Sequence, residues 1–119
     1  MCGIVCAFDI KSNSDFVRSN VLKMAQKVRH RGPDWSGVYS DNNAVLAHER
    51  LAIVDPTSGK QPIISDDGKK VIAVNGEIYN HKDLKEKYAS DYNFKTESDC
   101  EVILPLYEKI GINFLNDLN

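Results

Sequence analysis

The chain has 119 residues, of which 42% are hydrophobic and 27% charged, proportions that are ordinary for one globular domain with one core. Its formal net charge of −2 excludes a general electrostatic attraction to nucleic acid or to an anionic membrane. No apolar stretch approaches the roughly 20 residues of a membrane-spanning helix, and the N-terminal sequence lacks the regions of a signal peptide. We therefore expect a cytoplasmic protein without nucleic-acid or membrane partners.

A cysteine follows the initiator methionine directly. Because its side chain is small, removal of Met1 is plausible, and Cys2 then becomes the first residue. It would carry both a thiol and a free α-amine, which change protonation state near neutral pH and can act as nucleophile and base. A cysteine at this position can equally be inert, so the rest of the chain has to decide between the two interpretations.

The chain has three cysteines, Cys2, Cys6 and Cys100, which cannot all pair. On one strand, Cys2 and Cys6 would share a face but lie about 13 Å apart, too far for a disulfide. No second cysteine pair or histidine cluster accompanies their spacing, so we expect no metal site. The cysteine spacing therefore argues against a redox or metal-binding module.

The first half of the chain predicts three strands and a helix. In chain order these are a strand over residues 2–8, a helix over 14–29, a loop over 29–37, and strands over 38–39 and 44–54. The apolar run at the start is typical of a strand buried on both faces. Ser14 is expected to cap the helix. Its core face, at helical spacing, is expected to comprise Val17, Val21, Met24, Ala25 and Val28.

The second half predicts short extended pieces followed by helices. In chain order these are a short extended piece that opens at 61–62, a hairpin turn at 66–68, a buried strand over 71–74, a helix over 83–88, an irregular stretch over 89–94, a helix from 98 to 111 and a short helical turn over 113–118. Asn80 is expected to cap the first helix. Ser98 and Glu101 have capping-box spacing for the second, and Pro105 is expected to kink it. Interleaved strands and helices predict an α+β fold.

Three polar features have both a structural and a functional interpretation. Asn75-Gly76 normally marks a tight turn, but apolar residues continue after it, so a plain hairpin fits poorly. Arg50 lies in an apolar strand, as a surface charge or as a ligand for an anion. For Asp99 the structural interpretation is an acid that complements a helix start. We expect His30 and His48 to be structural.

Five motifs occur in order along the chain: CGI, RHRGPDWSG, HERLAIVD, VNGEIYNH and ESDCEVI. This series resembles the glutaminase domain of glutamine-dependent asparagine synthetases, which are class II glutamine amidotransferases and N-terminal nucleophile hydrolases. The resemblance runs through the whole chain. It implies a four-layer αββα sandwich, present here only in its N-terminal portion.

The resemblance also implies a reaction with L-glutamine. Cys2 would attack the side-chain amide, form a thioester and release ammonia, and water would then release glutamate. The α-amine of Cys2 would carry the proton. The Asn75 side chain and the Gly76 N–H would stabilise the oxyanion.

The same resemblance assigns residues to the two ends of the substrate. Arg50 would bind the α-carboxylate, and Asp99, helped by Glu77, would bind the α-ammonium. Val54 and Ile53 would line the pocket. Cys6 departs from the family pattern, in which a small residue is expected, and should fit as a small apolar group.

Members of this family continue beyond the equivalent of residue 119. The resemblance therefore implies that residues 1–119 are a glutaminase domain truncated at its C-terminus. ATP and Mg²⁺ are expected only in a following synthetase domain, and no cofactor or metal is assigned to this chain. The alternative is an inactive remnant that binds or regulates a full-length partner.

Overall fold

The computed structural model describes residues 1–88 and 90–119, which form two compact units that are described separately. The first unit comprises residues 1–53 and 60–76, and the second comprises 54–59 and 77–119. Strands and helices interleave, so the predicted α+β class is confirmed. None of the helices in the described part is long and apolar enough to span a membrane. Ala89, where the predicted irregular stretch begins, lies outside the described residues.

The first unit is built on a three-stranded antiparallel sheet in the order β1-β3-β2. Its strands are β1 (Gly3–Phe8), β2 (Trp35–Ser40) and β3 (Ala44–Arg50). Glu49 of β3 lies opposite Gly3 on one side and Ser36 on the other. Every β3 residue after Ala44 is buried, so both faces of this strand are covered as well as both edges. β3 is therefore the central and most buried strand of this unit.

Two strand predictions are wrong. The first strand is not buried on both faces, because it is an edge strand of the sheet, and Phe8 is 66% exposed. Cys6, expected to pack as a small apolar group, is also exposed. The strand predicted over 44–54 ends at Arg50, since Asp34 takes the next backbone hydrogen bonds.

The helix α1 (Ser14–Val28) packs on one face of this sheet. Its buried residues Val21 and Ala25 cluster with Val45 and Ala47 of β3. Met24, predicted to belong to the same face, is 56% exposed, so that prediction is wrong. The buried stripe is narrower than the apolar pattern, because one three-stranded sheet covers only part of the helix surface.

The cap of α1 also differs from the prediction. Asn13 precedes the helix, and its side chain accepts a hydrogen bond from the Phe16 N–H at 2.9 Å. Ser14 is instead the first helical residue. Asn and Ser both cap helices well, so residue type alone does not determine which of the two is the N-cap. The position at which the backbone enters the helix determines it.

A short hairpin completes the first unit. Its strands are β4 (Ile63–Ile64) and β5 (Val71–Ile72). The predicted turn is confirmed, and Gly68 has a positive φ of 69° there. The strand predicted over 71–74 ends early, because the Val74 N–H donates to the side chain of Gln61 instead of to a strand.

The second unit is mainly helical. Its elements are α2 (His81–Tyr88), a 3₁₀ turn at Asp99–Val102, α3 (Ile103–Ile110) and a second 3₁₀ turn at Gly111–Asn116. Gly111 ends α3 with a positive φ of 59°, as predicted. Asn80 directly precedes α2, and its carbonyl accepts a hydrogen bond from the Leu84 N–H at 3.2 Å. Its side-chain oxygen accepts from the Asn119 N–H at 3.0 Å.

The capping box is half correct. Ser98 is the N-cap and accepts a hydrogen bond from Cys100 N–H at 3.3 Å. Glu101 does not reach back to it but accepts from the N–H groups of Lys95 and Thr96 at 2.9 and 2.8 Å. Pro105 stands in the first turn of α3, after a 3₁₀ turn, rather than within one continuous helix that it would kink.

Candidate active site

The Cys2 thiol is held at the end of the central strand. Its Sγ accepts a hydrogen bond from the Leu51 N–H at 3.3 Å and lies 3.7 Å from the Leu51 carbonyl oxygen. Leu51 directly follows β3, so this hydrogen bond ties the sulfur to the end of the most buried strand of the unit. Met1 is 62% exposed, and Cys2 is half-buried.

Asp34 fixes the segment that holds the thiol. Its backbone N–H donates to the carbonyl of Arg50 at 3.0 Å, and its Oδ2 accepts from the Ala52 N–H at 2.9 Å. These two hydrogen bonds bracket Leu51. The aspartate of the RGPDWSG motif therefore has a structural role that the sequence pattern did not indicate.

Arg31 is an exposed basic residue at the end of the 3₁₀ turn that follows α1. Its Nε donates to the carbonyl of Cys2 at 3.0 Å, so it orients the residue that carries the thiol. The neighbouring Gly32 packs directly on β3, where a Cβ would lie 2.1 Å from the Glu49 carbonyl oxygen. A glycine beside a basic residue in a loop was the sequence feature that could have indicated this close approach.

Arg50 is buried, with only 4% of its surface exposed, which excludes the interpretation as a surface charge. Because side chains alternate along a strand, it shares a face of β3 with His48, while Glu49 faces the other side. The Glu49 carboxylate accepts from the Ser36 hydroxyl and lies 3.7 Å from the Arg29 guanidinium. Arg50 directly precedes Leu51, the residue that binds the Cys2 sulfur.

The Asn75-Gly76 pair follows β5 and is exposed. A Cβ built on Gly76 meets no atom within 4 Å, so packing does not require glycine there. Val74, the residue before this pair, has both of its backbone polar groups hydrogen-bonded to side chains. The Val74 carbonyl accepts from His48 Nε2 at 2.9 Å, and its N–H donates to Gln61 Oε1 at 2.6 Å.

The environment of His48 keeps it neutral. Burial lowers the pKa of His48 below its usual value, and the nearby Arg50 charge acts in the same direction. The hydrogen bond to Val74 and the charge of Glu49 oppose this shift. The imidazole has no exposed surface, and its contact with Val74 was not foreseen from the sequence.

In the second unit, Asp99 is 5% exposed and begins a 3₁₀ turn. Its Oδ2 accepts a hydrogen bond from the Ile78 N–H at 2.8 Å. Asp99 therefore holds the backbone near Glu77, a contact that neither interpretation of its sequence position included. Val54 is half-buried and Glu77 is exposed.

The predicted site residues are divided between the two units. The first unit holds Cys2, Arg50, Ile53, Asn75 and Gly76, and the second holds Val54, Glu77 and Asp99. Within the first unit, the Leu51 N–H directly after β3 donates to the Cys2 sulfur. His48 of β3 donates to the carbonyl of Val74, the residue before Asn75. Ile53, predicted to line a pocket, is 57% exposed.

The whole chain, residues 1–119, matches the glutamine amidotransferase domain family, and the chain belongs to that family. Asparagine synthetase B (glutamine-hydrolysing) of Escherichia coli K12 is 52% identical over 118 residues, covering 99% of this chain and 21% of the relative. Asparagine synthetase 2 of Arabidopsis thaliana is 50% identical over 119 residues, covering 100% and 20%.

A probable asparagine synthetase of Schizosaccharomyces pombe is 51% identical over 111 residues, covering 93% of this chain and 20% of the relative. The predicted resemblance to asparagine synthetases is therefore confirmed. The chain spans about a fifth of the length of the curated relatives it matches.

Proposed function

We propose that this chain hydrolyses glutamine to glutamate and ammonia, with Cys2 as the nucleophile once Met1 is removed. The observation that carries the proposal is the Cys2 sulfur held on the Leu51 N–H at 3.3 Å, one residue from the buried Arg50. A thiol bound by the backbone of the residue that follows a buried arginine suits a substrate that has both a reactive amide and a carboxylate. Membership of the glutamine amidotransferase family supports glutamine as that substrate.

In the proposed reaction, the Cys2 thiol passes its proton to its own α-amine, and the sulfur attacks the carbon of the side-chain amide. A C–S bond forms, the C–N bond breaks, and the nitrogen leaves as ammonia with the proton returned by the α-ammonium. Water then attacks the thioester, which releases glutamate and restores the thiol. The amine becomes available only after Met1 is removed.

The tetrahedral intermediate carries a negative oxygen, which we assign to the Asn75 side-chain amide and the Gly76 N–H. Both residues are exposed at the end of the hairpin, where a substrate can reach them. The empty space at the Cβ position of Gly76 supports this assignment, since the protein itself does not fill it. Loss of one such donor typically lowers the rate by about 10²–10³-fold.

The two charged ends of glutamine are assigned to opposite charges. We propose that Arg50 binds the α-carboxylate, for which its planar fork of donors is suited. Asp99 binds the α-ammonium with help from Glu77, and its carboxylate has acceptor capacity beyond the bond from the Ile78 N–H. Val54 and Ile53 line the substrate pocket.

We further propose that residues 1–119 form the N-terminal part of a glutaminase domain with the four-layer αββα architecture. Its ammonia would serve a synthetase domain that makes asparagine from aspartate. The names of the relatives, glutamine-hydrolysing asparagine synthetases, support asparagine as the product. ATP and Mg²⁺ would be bound in that domain, and we assign neither to the residues described here.

A glutaminase assay tests the proposal. The complete protein with Met1 removed should release ammonia from glutamine, and Cys2→Ala should lower the rate by about 10³-fold or more, because the nucleophile is lost. Cys6→Ala is the matched control, since this thiol is exposed on β1, four residues after Cys2, and should not affect the rate. Ammonia release that is unaffected by Cys2→Ala would exclude the proposed nucleophile.

A further inference from the structure

Given the proposed function, on which this inference rests, we propose that His48 and Gln61 are positioning residues for the oxyanion site. Their side chains hold both polar backbone groups of Val74, and this places Asn75-Gly76 for the reaction. Neither side chain would touch the substrate.

The anchor consists of two buried side chains on one backbone residue. His48 has no exposed surface and Gln61 is 6% exposed. His48 Nε2 donates to the Val74 carbonyl at 2.9 Å, and the Val74 N–H donates to Gln61 Oε1 at 2.6 Å. Burying two polar side chains costs free energy unless they form hydrogen bonds, and here both bond to Val74. Backbone groups just beyond a two-residue strand would otherwise have water as a partner.

Both anchoring residues are themselves fixed to the sheet. His48 lies in the central strand, opposite Ile4 on one side and Gly37 on the other. The backbone of Gln61 packs on β2, since a Cβ at Gly37 would lie 1.9 Å from the Gln61 carbonyl oxygen. The Cys2 sulfur is held at the end of the same sheet by the hydrogen bond from the Leu51 N–H. One rigid element therefore positions both the nucleophile and the segment that carries the oxyanion donors.

The hydrogen bond defines what a replacement for His48 must provide. The Val74 carbonyl is an acceptor, so Nε2 carries the proton, and Nδ1 has no partner among residues 1–88 and 90–119. A single N–H donor at the end of the side chain is thus the functional group. Glutamine can supply an N–H at a similar distance from the backbone, whereas methionine, unbranched and of similar length, cannot.

The test compares His48→Met with His48→Gln in the complete protein with Met1 removed. We expect His48→Met to lower kcat for glutamine by about 10- to 100-fold, with KM changed by less than about 3-fold, because misplaced oxyanion donors affect the transition state more than substrate binding. The aldehyde analogue of glutamine, whose thiohemiacetal with Cys2 mimics the tetrahedral intermediate, should lose affinity by the same factor. His48→Gln should restore most of both quantities.

Val21→Ala is the control for general loss of stability, because it removes core packing under α1 without touching Val74. It should lower the melting temperature but leave kcat and the aldehyde affinity near the wild-type values. The inference is overturned if His48→Met and His48→Gln behave alike, or if the loss of kcat follows the melting temperature across all three variants.

Amide hydrogen exchange over residues 74–76 separates this inference from the proposed function. His48→Met and Gln61→Met should accelerate exchange in this segment, and Val21→Ala should not, whether or not the protein hydrolyses glutamine. An inactive wild type with accelerated exchange in the two variants would refute the reaction and keep the anchor. An active wild type with unchanged exchange would refute the anchor and keep the reaction.

Discussion

Gly37 and Gly76 differ in what surrounds the position of a Cβ atom. At Gly37 a Cβ would lie 1.9 Å from the Gln61 carbonyl oxygen, whereas at Gly76 it would meet nothing within 4 Å. The first glycine is therefore required by the packing of the protein. Packing does not require the second, whose N–H we propose as a donor to the oxyanion.

Alanine substitutions should separate the two glycines. We expect Gly37→Ala to destabilise the protein by about 1–3 kcal/mol or more, because the backbone of residue 61 has to move. Gly76→Ala should leave the free energy of unfolding within about 0.5 kcal/mol of wild type but lower kcat by about 10-fold or more. Urea unfolding and the ammonia assay measure both quantities. Normal activity in Gly76→Ala would contradict the assignment of this residue to the oxyanion site.

Asp99 combines a structural hydrogen bond with a proposed contact to substrate. Asp99→Asn keeps an oxygen that can accept from the Ile78 N–H, but it removes the charge that the α-ammonium needs. We expect a KM for glutamine raised by about 10-fold or more with stability nearly unchanged. Asp99→Ala should raise KM and also cost about 1–3 kcal/mol of stability, since the Ile78 N–H loses its buried partner. Equal KM values for Asp99→Asn and wild type would exclude the ammonium contact.

At the residue scale, the sequence motifs indicated which residues matter but not what they contact. The burial of Arg50 and the hydrogen bonds of Asp34, Arg31 and His48 depend on how distant segments pack, and no local pattern contains that information. Cys2 could be singled out because its chemistry follows from its position in the chain. The assignments of site residues to steps of the reaction stay predictions.

At the scale of elements, the start of α1 shows how a single side chain sets a boundary. Asn13→Ala should destabilise the protein by about 0.5–2 kcal/mol, because the Phe16 N–H loses its capping acceptor. Ser14→Ala is the matched control and should change stability by less than about 0.5 kcal/mol, since Ser14 is already in the helix. Urea unfolding of both variants would show whether Ser14, contrary to the structure, is the cap.

The sequence predicted the existence and type of most elements, but several of their ends only poorly. Apolar periodicity indicates a strand or a helix, whereas its end depends on which group takes the next backbone hydrogen bond. The third strand stops because Asp34 binds the segment after Arg50, and the fifth stops because Gln61 binds Val74. Gly111 was predicted correctly because its positive φ ends a helix through local chemistry alone.

At the scale of the whole molecule, the buried His48 makes stability depend on pH. Burial and the nearby Arg50 lower its pKa below 6.5, although the Val74 carbonyl and Glu49 act in the opposite direction. Between the folded-state and unfolded-state pKa values, the unfolded chain binds more protons, so stability increases with pH in this range. The contribution is complete above about pH 6.5 and is lost as the pH falls toward the folded-state pKa.

Urea unfolding at about pH 7.5 and about pH 5.5 measures this effect. We expect the wild type to lose more stability between these values than His48→Gln, whose side chain does not titrate. The difference between the two proteins isolates the histidine from the other groups that titrate in the same range. An identical loss in both proteins would show that His48 is not held in the neutral form.

The central claim is that Cys2, as the N-terminal residue, is the nucleophile that attacks glutamine. The most direct measurement is mass spectrometry of the protein after reaction with a diazoketone analogue of glutamine, which alkylates an attacking thiolate. We predict one adduct, on a peptide that begins at Cys2, and protection by excess glutamine. An adduct on Cys6 or Cys100, or hydrolysis of glutamine by a protein that retains Met1, would contradict the claim.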